Sequence, residues 1–132
     1  MSNEGVLVIG HGSKLDFNKE TVEYVAESLR GQNGFTNVRA GFMGYNEPTI
    51  PQALEMLVEE GASTIYVAPC FLAAGMHTTH DIRRKLNMDP DAWEMSVNVK
   101  GKDVVLKYCE PIGKDPRIIE ILADRILSRK KE

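Results

Sequence analysis

Four unbroken apolar residues, Val6-Leu7-Val8-Ile9, stand between Gly5 and Gly10. A strand with one wet face alternates polar and apolar residues, so a continuous run bounded by glycines reads as a strand buried on both faces. That requirement limits the fold, because both faces need covering. The next stretch supplies a cover. From 16 to 30, Val22, Val25, Ala26 and Leu29 recur at the spacing of one helix face, and Gly31 and Gly34 end the pattern. The alternation continues. Val38, Ala40 and Phe42 mark a second strand within 35–43, and a helix through Ala53, Leu54, Leu57 and Val58 ends at Gly61. Pro48, after Asn46 and Glu47, is read as the first residue of that helix, where a missing N–H does no harm. A third strand covers 63–68, and a short helix over 81–86 turns Ile82 and Leu86 inward.

The fourth strand is expected at 103–108. Asp115-Pro116 then opens a last helix with Ile118, Ile119, Leu122 and Ile126 facing inward. Residues 87–102 hold Asp89-Pro90 and Trp93 in no clear period, so a loop with weak structure is expected there. Strands alternating with helices imply an α/β fold. Right-handed crossovers make it a flavodoxin-like, doubly wound sheet of four mostly parallel strands in the order 2-1-3-4, with helices on both faces. The 132 residues fit one domain, 1–132. A chain of that size buries about two-thirds of its unfolded surface and needs no disulfide. Cys70 and Cys109 each follow a strand and are read as reduced thiols.

Charge and hydropathy narrow the function. Sixteen basic residues against nineteen acidic ones give a net charge of -3, which argues against a nucleic-acid or anionic-membrane partner. No apolar run reaches the roughly 18 residues of a membrane span. Met1-Ser2-Asn3-Glu4 lacks a basic leader, so a cytoplasmic location is expected.

In a doubly wound sheet, ligands bind beyond the carboxyl ends of the strands, where the strand order reverses. Strands 1 and 3 flank that point. Strand 1 delivers His11 within Gly10-His11-Gly12-Ser13. That loop lacks the GxGxxG and GxxxxGK[ST] patterns of phosphate cradles. Strand 3 delivers Pro69-Cys70-Phe71-Leu72-Ala73-Ala74-Gly75-Met76-His77-Thr78-Thr79-His80-Asp81. Its apolar middle is longer than a connection needs and suits a flat hydrophobic ligand. Thr78 or Thr79 is read as the cap of the following helix, which leaves His77 before the helix and His80 in its first turn. Asp81 suits the positive end of that helix. Glu47 arrives after strand 2 as a cap or as a carboxylate in the cleft.

Two neutral imidazoles suit Co(II), Ni(II), Zn(II) or Fe(II) and fall short of a tight four-ligand zinc site. Such a weak, open site fits a metal that is passed on. Imidazole also accepts protons near neutral pH. Metal insertion into a tetrapyrrole needs both properties.

Gly10-His11-Gly12-Ser13, Asn46-Glu47-Pro48-Thr49-Ile50 and the 69–82 stretch together resemble the small archaeal CbiX-type chelatases, the sirohydrochlorin cobalt/nickel chelatases of the class II group. The resemblance covers nearly the whole chain, with the motifs in family order. It implies ATP-independent insertion of Co(II) or Ni(II), as substrate metal, into sirohydrochlorin, with no organic cofactor. The product feeds cobalamin or coenzyme F430 synthesis, the latter serving methanogenesis. It implies a homodimer, because the short form is half the length of the two-lobed chelatases. By position His11 looks like the proton acceptor and a metal ligand, and His77 like the second ligand. Glu47, Leu72, Ala73, Ala74, Gly75, Met76 and His77 look like the tetrapyrrole-binding elements, with Ser13, His80 and Asp81 in support. Two other readings stay open: a non-catalytic metal or tetrapyrrole carrier, and a phosphotransfer or hydrolase enzyme with His11 as nucleophile. Phosphohistidine enzymes usually set arginine beside the histidine, where this chain has glycines.

Overall fold

The computed structural model describes residues 3–73 and 75–130, with His77 described by its backbone alone. The element order is β1 (Glu4–Gly10), α1 (Phe17–Leu29), β2 (Val38–Phe42), α2 (Ile50–Glu59), β3 (Thr64–Pro69), α3 (Met76–Lys85), β4 (Glu94–Val99), β5 (Lys102–Tyr108) and α4 (Pro116–Lys130). The sheet order is β2-β1-β3-β5-β4. The β2-β1, β1-β3 and β3-β5 pairs are parallel, and β4 runs antiparallel along the edge of β5. The doubly wound class and the reversal of order at β1/β3 are therefore as read from the sequence.

The strand count is five, not four, and the extra strand lies in the stretch expected to be a loop. Met95, Val97 and Val99 alternate with exposed Ser96 and Asn98, so β4 buries one face only. Lys100 and Gly101, at φ of 50° and 85°, form the two-residue turn to β5. Asn98 holds that turn by accepting from the Gly101 amide at 3.1 Å and donating to Asp103 at 3.3 Å. The half-buried edge position explains why its signal is weak beside that of a central strand.

Three helix assignments change. Helix α2 begins at Ile50 and not at Pro48. Thr49 is its N-cap, its side chain accepts from Gln52 N, and Gln52 answers at the Thr49 amide in a reciprocal capping box. The proline in its first turn is Pro51, and the Glu47-Pro48 peptide is cis. Helix α3 begins at Met76 with Gly75 as its cap residue, so Thr78 and Thr79 are interior and His77 lies in the first turn. The Thr79 hydroxyl donates back to Met76 O at 2.9 Å, which occupies the group expected to cap the helix. Ile82 and Leu86 are fully buried, as expected. Helix α4 forms where expected, yet it buries no residue. Ile118 is half-buried, and Ile119, Leu122 and Ile126 are exposed. The inward face read from its apolar spacing is not buried against any element among the described residues.

Two hydrophobic layers sandwich the sheet. On one side α2 and α3 cover Leu7, Ile9, Ile65, Val67, Val104 and Leu106. On the other, α1 covers Val6, Val8, Val38 and Phe42. Burial of this kind stabilises by about 25 cal/mol per Å² of apolar surface removed from water.

Candidate functional site

The carboxyl ends of β1, β2 and β3 gather the chemistry-bearing loops on one edge. The first loop is held by its neighbours. Gly12 has φ of +77°, and a Cβ there would run into the Gly44 carbonyl oxygen, so only glycine fits. Its amide donates to Asn18 Oδ1 at 2.7 Å. The Ser13 amide donates to Asn46 Oδ1 at 3.0 Å. Met43 and Gly44 amides donate to Gly10 O and His11 O at 3.0 and 3.2 Å. The Ser13 hydroxyl donates to Leu15 O. Backbone N–H groups that a phosphate cradle would use are thus taken by asparagine side chains, which removes support for the phosphotransfer reading.

This frame presents His11. Its imidazole is exposed and stacked on Phe71, with ring centroids 4.1 Å apart and planes inclined by 25°. Phe71 is buried, so the base of the stack belongs to the core. Further along the same loop, Leu72 and Met76 are 65% and 75% exposed. Ala73 and Gly75 stand between them, and Ala74 lies outside the described residues. The carbonyls of Phe71 and Leu72 accept from the Ile112 and Gly113 amides at 3.0 and 2.7 Å, which ties the segment after β5 to this loop.

His77 sits one residue into α3, three positions before His80. Residues three apart share a helix face. His80 stands with Nε2 3.5 Å from Asp91 Oδ1 and lines an open pocket of about 490 Å³ with Met76, Thr79, Arg83, Pro90, Asp91 and Trp93. Asp81 is engaged within its own helix by Arg84 and, at 3.9 Å, by Lys85. Glu47 is exposed and lines a groove of about 520 Å³ along α2 with Pro48, Gln52, Glu55, Met56, Glu59 and Lys100; His11 is not among the lining residues. The structure therefore brings His11 and Phe71 together, with Leu72 next along the chain, and groups Met76 with His80 around the pocket at the start of α3. Among the described residues no group of three or more His, Cys, Asp or Glu side chains is placed to hold a metal ion.

Sequence reasoning missed three supporting residues. Asn18 and Asn46 fix the His11 turn, and Asn46 does so from 33 residues away, a separation that no local spacing signals. Arg83 is buried, donates from Nε to Ala92 O at 2.7 Å, and lays its guanidinium 3.9 Å from the Tyr108 ring and 5.1 Å from that of Trp93. It fastens α3, and with it the histidine-bearing turn, to the segment before β4. Burial pushes the Cys70 and Cys109 thiols up from their ordinary pKa, and both cysteines are free.

A doubly wound sheet with an exposed imidazole and an apolar rim at its switch point defines a small α/β protein built to handle a ligand at its carboxyl edge. The fold is that of the chelatases: the sirohydrochlorin chelatase SirB from Bacillus subtilis subspecies spizizenii, solved in complex with cobalt, superimposes with a TM-score of 0.76. It is 23% identical, and the match covers 97% of this chain and 51% of SirB. The family model for CbiX matches residues 5–129, and the chain belongs to the CbiX family. It is similar to the sirohydrochlorin cobaltochelatase of Methanocaldococcus jannaschii, 39% identical over 96% of this chain and 99% of the relative. The protein of the same name from Methanosarcina acetivorans is 41% identical over 97% and 95%.

Proposed function

We propose that this chain is a metal chelatase that inserts divalent cobalt or nickel into sirohydrochlorin, acting as one domain over residues 1–132 and without ATP. The observation that carries the reading is His11. Its exposed imidazole is stacked on Phe71, which directly precedes the exposed Leu72, in a chain matched almost end to end by proteins named sirohydrochlorin cobaltochelatase.

The chemistry follows from what metallation demands. The macrocycle is flat and mostly apolar on its faces, and two pyrrole N–H protons must leave as the metal–nitrogen bonds form. The face of the macrocycle lies on the segment Leu72, Ala73, Ala74, Gly75 and Met76, with its carboxylates toward solvent. His11 and His77 carry the incoming metal. His11 accepts pyrrole protons, aided by Glu47 from the next loop, and returns them to solvent. Ser13, His80 and Asp81 support the loops that carry these groups. The active unit is a homodimer in the cytoplasm, a reading supported by the coverage of only 51% of the longer SirB chain. No helix among the described residues is long and apolar enough to cross a membrane.

The test is anaerobic absorbance of sirohydrochlorin with Co(II) or Ni(II), with and without the protein. Accelerated metallation that disappears in His11→Ala and His77→Ala supports the reading and ranks the two metals. Tetrapyrrole binding without acceleration replaces it with a carrier.

A further inference from the structure

Away from the His11 loop, one charged side chain is buried without a counter-charge. Arg83 is only 4% exposed. Arginine is almost never buried so deeply unless it is paired. Its Nε donates to Ala92 O at 2.7 Å, and its guanidinium lies 3.9 Å from the centre of the Tyr108 ring and 5.1 Å from that of Trp93. These contacts fix the plane of the group. They leave its terminal nitrogens without an acceptor among the described residues. Asp81, the one acidic residue of α3, is taken by Arg84 and Lys85. Tyr108 offers its ring face, and its own buried hydroxyl has no hydrogen-bond partner either. Taking a charge out of water is unfavourable unless a partner replaces the lost hydration, so the geometry calls for an anion.

The pocket of about 490 Å³ at the start of α3 gives that anion a place. Arg83 lines it together with Met76, Thr79, His80, Asp91 and Trp93. The other polar groups of this wall are engaged. The Thr79 hydroxyl donates to Met76 O at 2.9 Å. His80 Nε2 faces Asp91 Oδ1 across 3.5 Å, and the Asp91 side chain is 96% exposed. Arg83 is left as the pocket's unpaired cation. The planar fork of a guanidinium matches the two oxygens of a carboxylate, and such charge-assisted pairs are stronger than neutral hydrogen bonds.

We propose that this pocket is a carboxylate subsite, in which the Arg83 guanidinium receives one carboxylate arm of the tetrapyrrole. The inference rests on the proposed function and deepens it. Met76 ends the segment on which the macrocycle lies there, and the same residue lines the pocket. An apolar surface holds a flat ring without choosing its rotation. A forked ion pair at one arm sets that rotation and so decides which part of the ring faces the metal. Arg83 touches the edge of the substrate and no reacting atom, so its part is binding and orientation.

The experiment measures binding of metal-free sirohydrochlorin to the full chain by equilibrium dialysis. The unmodified protein is set beside Arg83→Gln and Arg83→Lys, and each is also given the methyl-esterified macrocycle, which lacks the charged arms. Circular dichroism checks the fold, and if Arg83→Gln loses it, the comparison in Arg83→Lys decides. Arg83→Gln is expected to weaken binding of the acid about 10- to 100-fold, Arg83→Lys less, and neither to change binding of the ester. Equal losses for acid and ester show that Arg83 acts only by packing α3, and they overturn the subsite. Failure of the unmodified protein to bind sirohydrochlorin in either form overturns the chelatase reading instead. Trp93 is the chain's only tryptophan and lines the pocket, so its fluorescence reports the pocket directly when acetate alone is added. An acetate response lost in Arg83→Gln, with binding of the acid unchanged, overturns the tetrapyrrole arm and gives the pocket to a free small carboxylate.

Discussion

The loop after β1 and the loop after β3 share one edge of the sheet and are built in opposite ways. In the first, the amides of Gly12 and Ser13 go to asparagine side chains and the carbonyls of Gly10 and His11 accept from the neighbouring loop. In the second, Leu72 and Met76 project into solvent and a Cβ at Gly75 would meet nothing within 4 Å. On the proposed function the difference would separate two tasks. Proton transfer would depend on placing the imidazole within hydrogen-bond reach of the leaving proton, which a braced turn favours. Holding the face of a flat macrocycle would need apolar area and little direction, so a bare rim would suffice.

The sharpest way to break that comparison is His11→Ala. Metallation is expected to fall about 10²- to 10⁴-fold, the range for loss of a proton-transfer group, with the thermal midpoint unchanged because the ring is exposed. Retained turnover would remove the histidine from the mechanism. Gly12→Ala is next. The positive φ and the clash with Gly44 are expected to destabilise the fold by about 1–3 kcal/mol, measured by denaturant unfolding, with metallation falling as His11 shifts. Asn46→Ala leaves the Ser13 amide without its acceptor. A loss of about 1 kcal/mol is expected, together with a lower kcat, and an unchanged kcat would show that the frame is needed for folding alone. The smallest change in stability belongs to Leu72→Ser with Met76→Ser. Both side chains are already in water, so unfolding is expected to move by less than about 0.5 kcal/mol while KM for sirohydrochlorin rises. A large stability loss would mean that the rim is packed, and the contrast between the loops would fail.

Much of this was legible locally. Strand β1 is readable from Val6 to Ile9 because burial on both faces leaves no alternation, and α1 from the spacing of Val22, Val25, Ala26 and Leu29. His11 stood out because it leaves a strand end between glycines. Strand β4 was hidden because only Met95, Val97 and Val99 carry its pattern, among polar residues that an edge strand tolerates. The start of α3 was misplaced because Thr78 and Thr79 resemble caps, whereas Gly75 begins the helix without a side-chain cap.

The sequence by itself determined every element type except that of β4, the doubly wound sheet, and the edge to which the loops after β1 and β3 are delivered. These follow from periodicity, glycine placement and the handedness of crossovers, all of which act over short stretches of chain. Only the tertiary structure decided what braces the His11 turn, because Asn18 and Asn46 reach the Gly12 and Ser13 amides and Phe71 reaches the imidazole through space. Only it revealed that the apolar stripe of α4 faces no core. An amphipathic pattern records that a helix needs a partner, but whether the partner lies in the same chain depends on where the preceding residues are fastened, and here Ile112 and Gly113 are fastened to the loop at the carboxyl edge.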